Sequence, residues 1–155
     1  MLEQEMLTDS TTIKNDFLES IGCSKQKHSG RTLMEHLIRV HDMLREWDAP
    51  EYLQDAGLFH SVYGTTYFKP QMTVDRDKVR NLIGERAEEI SFLFCTIPHP
   101  RTTNIDNLED DQLRIDLLIL NKANQDEQAN AKLKFRTIND FRGVDGISIK
   151  MNRGL

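Results

Sequence analysis

The sequence has little cysteine, no long apolar run and no excess of basic residues. Cys23 and Cys95 stand apart, without Cys-x-x-Cys spacing, and read as two free thiols in a reducing cytosol. The longest apolar runs, 56–59, 92–95 and 117–120, fall far short of the ~20 residues that cross a bilayer, so no membrane partner is expected. The first five residues, Met-Leu-Glu-Gln-Glu, are acidic and hold no apolar core of a secretory signal. A cytoplasmic location is the expectation. The net charge of −5 argues against nucleic acid as a partner, because neutralising phosphates takes a basic patch. No Gly-x-x-x-x-Gly-Lys-Ser/Thr loop, internal repeat or low-complexity segment is present. Nor is there a trustworthy Ser-His-Asp arrangement: Ser61 follows His60 in sequence, which does not make a dyad.

What is present is helical patterning. At 155 residues with 29% charged, the chain reads as one soluble domain, 1–155, with a core of about 26–124. Ile13, Phe17, Leu18 and Ile21 follow Thr8–Thr11 at helical spacing and lead to Gly22, a C-cap. Residues 24–30 form a polar connection. Thr32 and Glu35 make a capping box for a second helix, with Leu33, Met34, Leu37, Val40, Leu44 and Trp47 in a wide apolar stripe. Pro50 starts a third helix over about 51–60. A long loop over 61–74 follows, then helices over 79–83 and 85–97 and a break at Pro98-His99-Pro100. Residues 101–107 read as loop, 108–141 as one long helix or a broken pair, and 143–149 as strand or extended chain. Nothing alternates for long enough to argue a sheet, so the expected class is all-α.

The histidines carry the chemistry. His36 shares the stripe of Leu33 and Val40, His60 ends the apolar third helix, and His28 lies in the turn before the second helix. One buried imidazole is commonly a satisfied core residue. Two on adjacent core helices point to a metal site, since neutral imidazole is a favoured ligand. His28, His36 and His60 are therefore the expected ligands, with zinc, iron or manganese as the metal. His28, His60 and Ser61 are the candidate catalytic groups. Ser29, Gly30, Arg31 and Thr32 start a helix with free N–H groups and a guanidinium, which suits a phosphate, against the plain alternative of a capped turn. Ser29, Gly30, Arg31, Tyr63, Thr65 and Asn124 are the expected substrate-binding residues. His41-Asp42 reads as a solvated pair, turned about 140° from His36 on the helix. His99 reads as surface.

A helix-borne histidine followed by Ala-Gly-Leu-Phe-His at 56–60 resembles the HD-domain superfamily. That resemblance implies an HD-like helical bundle with a metal-dependent phosphohydrolase core, or in some members a di-iron oxygenase. The hydrolase domains that remove pyrophosphate from (p)ppGpp are similar in more detail. Their Lys-Ser-Gly resembles His28-Ser29-Gly30, and their His-Asp-x-x-Glu-Asp-Thr resembles His60 to Thr66. Their Phe-Gly-Glu-x-Val-Ala-x-Leu helix resembles Ile83 to Ile90, and their late Leu-Ala-Asp resembles Leu120-Asn121. The string from His28 to Leu37, with 56–61, also resembles a family of small HD-like domains of unknown function. The departures fall on the carboxylates: Ser61, Gly64, Thr65 and Asn121 or Asn124 stand where acids would. Two functions follow as expectations. One is a hydrolase or oxygenase acting on a small anionic, phosphorylated substrate. The other is a non-catalytic nucleotide- or anion-binding module. A homodimer is compatible with either.

Overall fold

The computed structural model describes residues 2–28, 30–65, 68–70 and 73–132, with side chains from residue 11 to residue 130. Among these the architecture is all-α, as expected. Seven helices are present: α1 (Leu2–Ser20), α2 (Leu33–Glu46), α3 (Glu51–Leu58), α4 (Arg76–Ile83), α5 (Glu85–Thr96), α6 (Arg101–Asp106) and α7 (Asp111–Lys132). One two-residue hairpin, β1 (Lys27–His28) and β2 (Arg31–Thr32), interrupts them.

The centre is the α2–α3 pair, with α7 laid across both and α5 against α3. Thr32 caps α2, accepting the Glu35 N–H at 3.1 Å, and the capping box is complete. Leu37, Val40, Leu44, Leu53, Ala56 and Phe59 are fully buried where α2 and α3 meet, each such large side chain contributing about 1.5–3 kcal/mol. Gly57 makes the approach possible. A Cβ there would lie 2.5 Å from Leu44 Cδ1 and 3.2 Å from Val40 Cγ1. Outside this pair, Leu18 and Ile21 seat the end of α1, and Lys14 reaches Asp55 of α3 at 3.1 Å. A second polar anchor lies on α7, where buried Asp116 accepts from Tyr52 (3.0 Å), Arg86 (3.2 Å) and Gln112 (3.0 Å).

Several boundaries differ from the sequence reading. α1 begins at Leu2, since no Pro or Gly interrupts the segment, and Ile13 is 53% exposed rather than inward. Residues 24–30 are not all irregular: two backbone pairs close a hairpin at Gly30, whose φ of 85° a side chain would resist. α3 stops at Leu58, so His60 sits in the following turn, not in the helix. α4 starts earlier, at Arg76, because Asp75 caps it by accepting the Asp77 N–H at 2.9 Å. Residues 101–106, expected as loop, form α6, started by Pro100 and seated by fully buried Ile105. The last helix runs from Asp111 to Lys132. The expected continuation to Phe141 and the tail at 143–149 lie outside the described residues.

Candidate functional site

The three histidines do meet. The His28 and His36 rings lie 4.3 Å apart between centroids, and the His36 and His60 rings 5.2 Å apart, edge to face. Each arrives by a different local device. His36 sits one turn into α2, held by the Thr32 cap. The hairpin pairs His28 with Arg31, so both leave the strands on one face. His60 is set by the turn after α3, where its Nδ1–H donates to the Gly57 carbonyl at 2.6 Å.

α7 closes the cluster. His36 Nδ1–H donates to Glu127 Oε1 at 2.8 Å, and His36 Nε2 lies 2.8 Å from Asn124 Oδ1. The other Glu127 oxygen pairs with the Arg31 guanidinium. Gln128 donates to His28 Nε2 at 3.2 Å. His36, His60, Asn124 and Glu127 are all buried. Burial pushes the His60 imidazole down to about 3, with the His36 charge acting the same way. Burial likewise takes His28 down to about 4. Both rings are therefore neutral near pH 7. With its Nδ1 protonated, neutral His60 presents Nε2 as a lone pair.

Asn124, an expected substrate group, is thus a partner of His36. Asn121, its alternative in the other register, instead donates to Thr102 Oγ1 at 3.3 Å and faces α6. Arg31, expected to grip an anion, is engaged by Glu127. Gly30 is exposed at the hairpin end, and Ser29 lies outside the described residues. Ser61 is buried in the turn. Tyr63 turns from the histidines and donates to Glu88 at 2.6 Å, where Arg76 also bonds; burial first, then Glu88, raises its phenol above the ordinary range. Thr65 closes a turn, accepting the Phe68 N–H at 3.1 Å. His41 is half-buried, not fully solvated, and bonds its neighbour Asp42 at 3.0 Å. His99 is exposed, as expected.

Glu127 and Gln128 were not legible as site residues in the charged last helix. A signal existed: the core-facing stripe of half-buried Leu113 and buried Leu117 and Leu120 continues at helical spacing through Asn124 to Glu127. A polar residue continuing a buried stripe is a group that must find a partner inside.

Beyond His60 the wall changes character. Its carbonyl accepts the Cys95 thiol at 3.1 Å, and burial raises that thiol to about 12. Its ring meets Phe94 edge-on at 5.3 Å, and Arg101 covers Phe94 at 4.1 Å. Arg101 and Cys95 line a cleft of about 560 Å³, with Tyr63, Thr65, Lys69 and His99 around it.

A metal fits this cluster only in part. Among the described residues no group of three or more His, Cys, Asp or Glu is placed to hold one. The donors that remain are two imidazoles and an amide oxygen. His36 and His60 each have Nδ1–H fixed on an oxygen, the arrangement that aims Nε2 at a metal. Such a set suits zinc or iron better than manganese, which prefers carboxylates.

The class is therefore an all-α domain with a buried histidine cluster clamped by its last long helix. The chain belongs to the family described as "Domain of unknown function (DUF6817)", whose profile matches residues 17–99. That span holds all three clustered histidines, while Arg101, Asn124 and Glu127 lie beyond it. No curated protein and no solved structure matches the chain. No helix among the described residues is long and apolar enough to cross a membrane.

Proposed function

We propose that this is an HD-like helical protein whose His36, His60 and Asn124 hold a zinc or iron ion next to a small anionic substrate. The observation carrying this reading is the contact of His36 Nε2 with Asn124 Oδ1 at 2.8 Å, while Nδ1 of the same ring donates to Glu127. Two lone-pair atoms so close require a ring proton, a turned amide, or a cation bound by both. A bound ion of this kind supplies Lewis acidity and a water of lowered pKa. The chain's own groups do the positioning. Glu127 fixes the His36 ring, Arg31 balances the Glu127 charge, and the Gly57 carbonyl fixes His60. His28, neutral and with its Nε2 engaged by Gln128, flanks His36. The reaction class is hydrolysis or oxygenation of a phosphorylated small molecule. Metal analysis of protein purified without chelator tests the reading, beside the His36→Ala/His60→Ala double variant. One equivalent in the wild type and none in the variant is expected; near-zero metal in both sinks it.

A second reading is a non-catalytic nucleotide- or anion-binding module. It is favoured by Ser61, Gly64 and Thr65, which leave this turn without a carboxylate to hold a metal or orient water. A ligand that raises the melting temperature and stays chemically unchanged on long incubation, with and without metal, selects it.

A further inference from the structure

The geometry points to a separate oxyanion-binding site in the cleft beyond His60, in which Arg101 and Lys69 receive a dianionic phosphate-type group. Four arginines besides Arg101 are half-buried among the described residues, and each has a carboxylate. Arg31 pairs with Glu127, Arg76 with Glu88 (2.8 Å), Arg80 with Asp77 (2.8 Å) and Arg114 with Asp111 (2.8 Å). Arg101 has none. Its face rests on Phe94 at 4.1 Å and burial lowers its pKa; its Nε is buried without a partner, as are those of Arg31 and Arg80, so the missing carboxylate is what sets it apart. A guanidinium taken half out of water without a counter-ion is costly unless a ligand supplies the charge.

The cleft is suited to be that ligand's container. Its volume of about 560 Å³ falls in the range of small-molecule sites, roughly 300–1,000 Å³. Its lining includes Lys69, His99 and Arg101 and, among the described residues, no aspartate or glutamate, in a chain of net charge −5. Glu88, which the cleft residue Tyr63 bonds, is already bonded to Arg76 and flanked by Arg80 at 3.5 Å. Arg101 and an exposed Lys69 lining one cleft, with no carboxylate among its described lining residues, suit a doubly charged group, hence a phosphate monoester or diphosphate over a single carboxylate. Phe68 and Ile97 give the bearer of that group an apolar wall. This site stands whether or not His36 and His60 hold a metal.

Calorimetric titration with inorganic phosphate, pyrophosphate and acetate, in the presence of chelator, tests it. Pyrophosphate is expected to bind most tightly and acetate least. Arg101→Met, which keeps packing on Phe94, should weaken pyrophosphate binding at least about tenfold, or 1.4 kcal/mol. Lys69→Ala should weaken it less. Lys69 is exposed, so that variant folds whatever Arg101→Met does. Absence of pyrophosphate binding at millimolar concentration overturns the site. So does binding that neither substitution weakens.

Discussion

The two sides of His60 solve the problem of buried charge differently. On the α7 side, Arg31, Glu127 and His36 form a chain in which each charge has a partner, with Asn124 on the other His36 nitrogen and Gln128 on His28, while the Arg31 Nε lacks a partner. On the cleft side, Arg101 lies half-buried over an aromatic ring with no carboxylate partner among the described residues. A closed network rigidifies: it ties the hairpin and α2 to α7 and fixes the ring orientations. An open charge is a vacancy for a partner from solution. The same chain therefore holds its histidines ready-made and leaves its cation to be neutralised from outside.

The largest expected effect comes from opening the closed side. Glu127→Ala strands Arg31 and His36 and should cost about 3–5 kcal/mol, the usual result of removing one member of a buried pair. Urea unfolding measures it; a loss under about 1 kcal/mol would mean that the network is not closed. Acid attacks the same side. His60 titrates at about 3 in the folded chain and near 6.5 unfolded. Between those values the unfolded state binds the extra proton, so stability is fully present above about 6.5 and falls as pH drops toward 3. With chelator present, the slope from His60 should approach about 1.4 kcal/mol per pH unit. His28, taken down to about 4, acts in the same direction. Denaturation at pH 7, 6 and 5 checks this, and a flat profile contradicts the buried neutral imidazole.

Gly57→Ala supplies an apolar yardstick. Its Cβ would strike Leu44 Cδ1, and overpacking of this kind costs about 1–3 kcal/mol. A thermal melt should show a loss smaller than that of Glu127→Ala. The smallest effect is expected on the open side. Arg101→Met without ligand should change stability by less than about 1 kcal/mol, since losing a cation–π contact is offset by removing an unpaired charge. A cost matching that of Glu127→Ala would show that Arg101 has an internal partner and would end the contrast.

The all-α class, the capping box at Thr32 and the core faces of α2 and α3 were legible because local periodicity and caps carry them. The meeting of the three histidines was readable in outline, since two lay on apolar helical positions and one in the adjoining turn. α6 was not readable. It has six residues and one buried anchor, Ile105, too little for periodicity to register. Arg101 was missed with it. The internal partners of Arg31 and Tyr63 were not readable either, because Glu127 and Glu88 reach them across 96 and 25 residues of chain.

The sequence by itself determined the all-α class, the starts of α2, α3 and α5, and that His36 lies on a core-facing helical position. Those are consequences of nearest neighbours along the chain. Only the tertiary structure decided which acid meets which base: Glu127 with Arg31 and His36, Glu88 with Tyr63 and Arg76, and, among the described residues, none with Arg101. Charge pairing depends on distance in space, and the sequence separation of two residues in different helices does not contain it.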